Sequence, residues 1–127
     1  ELMKYKIIIE AAFSDSPKSH EFAAAIVISE HFKSDVIFIR PGNFRTPDFD
    51  VSGTKWELKS PMGSSARTIE NNMRAARKQS KNLIVDLSRV KIHQQRAVAR
   101  INFFLSKPNQ FNRVLVITKT KKIIEIR

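Results

Sequence analysis

Residues 46–61 read TPDFDVSGTKWELKSP, and the register of this stretch decides how the chain lays out its charges. Pro47 and Pro61 stand near its ends and Ser52-Gly53 breaks it in the middle, so it reads as a β-hairpin. Strand side chains alternate between faces. Either a two-residue loop (Ser52-Gly53) or a four-residue loop (Val51 to Thr54) pairs Asp50 with Lys55, Asp48 with Glu57 and Thr46 with Lys59. One face then carries Thr46, Asp48, Asp50, Lys55, Glu57 and Lys59. The other carries Pro47, Phe49, Val51, Thr54, Trp56 and Leu58. A three-residue loop would set Glu57 beside Phe49 and spoil both faces, so the hydrophobic pattern selects the register that gathers the charges.

In that register Asp48 and Glu57 are cross-strand neighbours, with Cβ atoms about 4.5–5.5 Å apart. Two carboxylates so close repel unless one is protonated or a cation compensates. Oxygen ligands of this kind suit Mg²⁺ or Mn²⁺, held by one or two carboxylates with water and phosphate completing the shell. Lys59, on the same face, is placed to hold an attacking water or to stabilise charge on a phosphate. An amphipathic hairpin with a solvated charged face has the same pattern. The hairpin residues alone leave both readings open.

The surrounding chain narrows the partners. Its 127 residues hold 23 Lys and Arg against 12 Asp and Glu, a net charge of +11. That balance favours a polyanion: nucleic acid first, an acidic protein or an anionic membrane surface second. The length suits one domain, residues 1–127, with its own core. The absence of Cys rules out thiol chemistry, disulfides and thiolate metal sites. The longest apolar run, FAAAIVIS, is far too short to span a bilayer, and no signal peptide opens the sequence. No Gly-rich phosphate loop is present.

Periodicity orders the rest. MKYKIII suits a strand. Ser16-Pro17 reads as a helix start, and HEFAAAIVISEHF puts Phe22, Ile26, Ser29 and Phe32 on one helical stripe. DVIFIR reads as a strand running to a turn at Pro41-Gly42-Asn43. After the hairpin, ARTIENNMRAARKQS sets Ile69, Met73 and Ala76 on one side of a helix, and LIVDL reads as a buried central strand. QQRAVARINFFLSK makes a second amphipathic helix with Val98, Ile101 and Leu105 inward, and RVLVIT and KIIEIR close the chain as strands. The order β-α-β-β-β-α-β-α-β-β predicts an α/β domain, a mixed β-sheet with flanking helices.

Asp48-x8-Glu57-Leu58-Lys59, with Pro47 before the first acid, resembles the PD-(D/E)xK nuclease motif, and its setting between helices and strands matches the α-β-β-β-α-β core of that restriction-endonuclease-like superfamily. The longer run from Thr46 to Leu87 resembles one branch of it: the tRNA-nuclease toxin domain at the C-terminus of contact-dependent growth inhibition (CdiA) proteins. There a PD, a wE-K and a Gln-Ser pair ahead of an apolar strand recur in this order. The resemblance implies a metal-dependent endonuclease acting on tRNA, with Asp48 and Glu57 on Mg²⁺ or Mn²⁺ and Lys59 as the catalytic lysine. It also implies a cognate immunity protein, expected to be acidic, and delivery from the surface of one cell to act in the cytoplasm of another.

Within such a nuclease a glutamate of the first helix often completes the acidic cluster, which makes Glu21 a candidate catalytic and metal-binding residue. Glu21 shares a helical side with Ala24, Ala25 and Ile28, but an acid in a first turn also serves the helix itself. Asp50 lies on the charged face and ranks below Asp48. Gln79 and Asn72 lie on one side of the helix after the hairpin, as polar groups turned to the site or as a border of its buried stripe. Arg67, Arg74, Arg77 and Lys78 are candidates for phosphate binding, or a solvated helix surface. His20, His31 and His93 lack metal-ligand spacing. Asp86 reads as a structural acid, and Trp56 and the nine Phe read as core, with no exposed stacking platform. Two alternatives remain: a DNA endonuclease or junction resolvase of the same superfamily, and a nucleic-acid-binding module without catalysis.

Overall fold

A computed structural model describes residues 4–9, 17–39 and 46–127. The element order is β1 (Ile7–Ile9), α1 (Ser19–Phe32), β2 (Val36–Phe38), β3 (Phe49–Val51), β4 (Thr54–Lys59), α2 (Ala66–Ala76), β5 (Asn82–Asp86), α3 (Gln94–Leu105), β6 (Arg113–Ile117) and β7 (Ile123–Glu125). This is the order the periodicity predicts. Among the described residues the seven strands form one mixed sheet in sequence order, β1 to β7. Neighbours pair parallel at β1–β2, β4–β5 and β5–β6 and antiparallel elsewhere. The helix start at Ser16, the turn at 41–43 and the Arg40 end of the second strand lie outside the described residues.

The helices cover both sides of the sheet. Ala24, Ala25 and Ile28 of α1 pack with Val36, Phe38, Phe49, Val51, Trp56, Leu58, Ile84 and Leu115. Ile69, Met73 and Ala76 of α2 and Ala97, Ile101 and Leu105 of α3 pack with Leu83, Val85, Val114 and Val116 on the other side. Alternation along β5 and β6 supplies both cores at once, which is why LIVDL reads as a continuous apolar run. A fully buried side chain of the size of Phe49 contributes about 1.5–3 kcal/mol. The aromatics tie β2 to β3 and α1 to β4: Phe38 meets Phe49 at 4.9 Å and Phe32 meets Trp56 at 5.4 Å between ring centroids.

Two helical faces differ from expectation. In α1 the buried residues are Ala24, Ala25, Ile28 and Ser29, while Phe22, Ile26 and Phe32 sit half-buried at the margins. Small alanines let the helix backbone approach the sheet, and the larger side chains then fill the flanks. In α3, Ala97 is buried and Val98 only partly so.

Candidate active site

Over Phe49–Val51 and Thr54–Trp56 the hairpin adopts the expected register, with a two-residue loop; the expected Asp48–Glu57 and Thr46–Lys59 pairs fall outside this ladder. Phe49 lies opposite Trp56, Asp50 opposite Lys55 and Val51 opposite Thr54. Ser52 (φ 52°) and Gly53 (φ 86°) are both left-handed, the conformation that matches the twist of a tight hairpin. Asp50 serves this turn: its Oδ1 accepts the Gly53 N–H at 2.9 Å and its Oδ2 the Lys55 ammonium at 2.9 Å. Lys55 holds the Asp50 carboxyl below its ordinary range.

At the other end of the hairpin the ladder is replaced by a side chain. The Asp48 N–H donates to Trp56 O at 2.9 Å, and the Asp48 Oδ2 accepts the Leu58 N–H at 2.8 Å. The carboxylate thus takes the backbone bond of the residue next to Glu57 and is anchored beside that acid. β4 has a neighbour on each side, and Glu57 and Lys59 stand opposite Leu83 and Val85 of β5. They therefore project to the side that α2 and α3 cover. Glu57 is only 2% exposed. Lys59 Nζ lies 3.1 Å from Glu57 Oε2, while Glu57 Oε1 is buried with no protein donor.

These contacts set an unusual protonation. Burial, then the charge of Asp48, pushes the Glu57 carboxyl up to about 8 against the opposing pull of Lys59. Burial also raises Asp48, partly offset by the Leu58 N–H, with Glu21 near enough to add repulsion. Hydrogen bonding between the two carboxyls favours the proton on Glu57. One lysine balances two acids, so a proton or a second cation must neutralise the remaining charge.

The other expected residues separate. Glu21 lies near the pair, but its Oε1 accepts the Lys18 N–H at 2.8 Å, closing a capping box at the start of α1. Among the described residues no set of three or more His, Cys, Asp or Glu closes on one point as a metal cage. Gln79 follows α2, and its Oε1 is buried with no protein donor. The adjacent segment is tied to β4, since Ser80 Oγ and Asn82 Nδ2 each donate to Lys55 O at 3.1 Å. Asn72 instead turns onto its own helix, its Nδ2 donating to Thr68 O at 2.8 Å. Arg67, Arg74, Arg77 and Lys78 are all exposed. Asp86 is buried, and its Oδ1 accepts the Ser88 N–H at 2.9 Å.

Residues 45–123 match the family model of the contact-dependent growth inhibition CdiA C-terminal domain. The chain belongs to this family. The matched span is more than half of the chain and contains Asp48, Glu57 and Lys59, but not Glu21. The CdiA C-terminal domain is the toxin domain of contact-dependent growth inhibition. No curated protein matches the chain. Among solved structures it is similar to a chain of the CdiA-CT/CdiI toxin and immunity complex from Burkholderia pseudomallei, with TM-score 0.61 and 19% identity over 94% of this chain and 98% of that one. At that identity the likeness speaks for the fold. Among the described residues no helix is long and apolar enough to cross a membrane.

Two features do not follow from residue type and alternation alone. The Asp48–Leu58 bond left no trace in the pattern, because a side chain replacing a ladder bond does not alter alternation. Phe103 is 48% exposed, against the expectation that every Phe is core. A signal for it existed: on a helix with Ile101 and Leu105 inward, position 103 falls on the far side.

Proposed function

We propose that this CdiA C-terminal domain is a metal-dependent endonuclease of PD-(D/E)xK type that hydrolyses phosphodiester bonds of tRNA. The observation that carries the reading is the buried Glu57 beside Asp48, with one oxygen lacking a donor and Lys59 at 3.1 Å from the other. Two carboxylates fit Mg²⁺ or Mn²⁺, which take few protein ligands when water and phosphate complete the shell. Asp48 and Glu57 would hold the ion, with Glu21 adding negative potential nearby. When bound, the ion would supply Lewis-acid activation of water and phosphate.

The chain's own groups do the rest. Glu57 would have to be ionised to hold the ion, its proton passing to solvent. Lys59 would share its ammonium between Glu57 and a water or phosphate oxygen, orienting the attack and stabilising charge as it develops. The basic surface draws in the nucleic-acid backbone. The likeness to a toxin in complex with its immunity protein supports a cognate immunity protein here, acidic enough to complement a domain of net charge +11. Family membership supports delivery into a target cell, with the substrate met in its cytoplasm.

Purified chain incubated with tRNA and with duplex DNA, each with Mg²⁺ and with EDTA, tests this. We expect tRNA to be cut only with the metal. Cutting of DNA alone would make it a DNA endonuclease or junction resolvase. No cutting of either, with Mg²⁺ or Mn²⁺, would leave a nucleic-acid-binding module.

A further inference from the structure

Away from the hairpin, the outer surfaces of α2 and α3 meet in a basic groove. A cavity of about 460 Å³ is lined by Arg77 and Lys78 together with residues 108–110. A smaller one of about 170 Å³ adjoins it through Arg77 and Pro108 and includes Arg74, Phe103 and Lys107. None of Asp48, Glu57 or Lys59 lines either cavity. Glu70 accepts from Arg74 at 3.3 Å and from Arg100 at 2.8 Å, fixing two of the cations. Arg77, Lys78 and Lys107 form no ion pair among the described residues. Arg74, Arg77, Lys78, Arg100 and Lys107 thus share this surface with one acid, Glu70. Beside them stands Phe103, 48% exposed, with Lys107 Nζ 4.5 Å and Arg100 Cζ 5.3 Å from its ring centroid.

We propose that this groove binds single-stranded RNA, with Phe103 stacking an unpaired base while Arg77, Lys78 and Lys107 hold the flanking phosphates. A large exposed aromatic inside a cationic groove is the pairing that single-strand binders use: charge tracks the backbone, and a ring accepts any base by its face. A duplex offers no free base face, which is why the occupant is unpaired. A base entering the groove replaces a cation over the ring, and the released cation moves to the adjacent phosphate. The inference rests on nucleic acid being the partner, not on cleavage.

The test is fluorescence anisotropy of a labelled oligouridylate and of a duplex RNA of equal length, in EDTA, over a range of salt concentrations. Arg77→Glu with Lys78→Glu should weaken oligouridylate binding at least about tenfold and flatten the log–log salt slope by about 1.4, two single-strand phosphate contacts. Phe103→Ala should weaken it at least about fivefold without changing the slope, and Phe103→Trp should preserve it. The duplex should respond to the charge reversals and not to Phe103→Ala. Wild-type affinity in either the Phe103→Ala or the charge-reversed variant overturns the proposal. So does equal loss for duplex and single strand on Phe103→Ala. Variants that keep RNA affinity but lose an acidic immunity protein would make the groove a protein interface instead. Binding is read without cleavage. A chain that binds through Phe103 yet cuts nothing would therefore overturn the nuclease reading alone, and one that cuts while Phe103→Ala binds normally would overturn this one alone.

Discussion

The two ends of one hairpin carry the same kinds of side chain and behave in opposite ways. At the tip, Asp50 meets Lys55 one to one, partly in solvent, and its carboxyl is held low. At the base, Asp48 and Glu57 share Lys59 beneath the α2 side of the sheet, and both carboxyls are pushed up. The difference is stoichiometry and cover. A solvated pair of opposite charges is content and contributes little. A buried acid beside a half-buried one, with one cation between them, holds an unbalanced charge that only a proton or a further cation relieves.

The largest expected break in this contrast is catalytic. Glu57→Gln keeps the shape of the protonated acid but cannot ionise to hold a cation. It should lower Mg²⁺-dependent tRNA cleavage about a thousandfold or more, while Asp50→Asn at the tip changes it less than about threefold. Single-turnover cleavage rates measure both. Equal loss at the two ends would end the distinction between them.

Next comes Lys59→Ala, which strips the base of its one cation. The cost depends on pH because Glu57 can retreat to its neutral form. We expect roughly 2 kcal/mol of lost stability near pH 9, below the 3–5 kcal/mol of a fully buried pair because Lys59 is partly exposed, and much less near pH 6. Urea denaturation at the two pH values reads this directly.

The raised carboxyl also makes stability pH-dependent. Glu57 titrates at about 8 in the folded chain against an ordinary 4.5. Its protonated form is therefore favoured by folding: the contribution is complete below about 4.5 and is lost as pH rises through about 8. The wild-type Tm should fall across that interval, and Glu57→Gln, permanently neutral, should flatten the decline. Added Mg²⁺ should raise the Tm more near pH 9 than near pH 6, since a metal ligand must be deprotonated. A Tm independent of pH across the interval would show that Glu57 ionises normally.

The smallest effect is at the tip. Asp50→Asn removes an exposed ion pair while the amide oxygen can still accept the Gly53 N–H, so the loss should stay within about 1 kcal/mol and shrink at high salt. A larger loss would mean that the tip, too, is governed by burial.

Much of this was legible in the chain. Alternation between Phe49, Val51, Trp56 and Leu58 and the intervening charges determined the hairpin register, and turn residues located its loop. Ile69, Met73 and Ala76 marked the inward face of α2. The large apolar residues of α1 suggest a stripe through Phe22, Ile26 and Phe32, whereas close packing of helix on sheet buries the small Ala24 and Ala25. The apolar stripes place most Phe in the core, and Phe103 is the exception because its helical position opposes Ile101 and Leu105.

The sequence by itself determined the order of elements, the sorting of the hairpin into two faces and the nearness of Asp48, Glu57 and Lys59, because period and register are local properties. Only the tertiary structure decided that Glu57 is buried while Asp50 is half-exposed, that Asp48 is anchored by the Leu58 N–H, and that Glu21 is engaged in capping α1. Alternation states which side of a strand a group occupies. What covers that side depends on where distant helices come to rest, and burial turns the same carboxylate from a surface charge into a group that holds its proton to about pH 8.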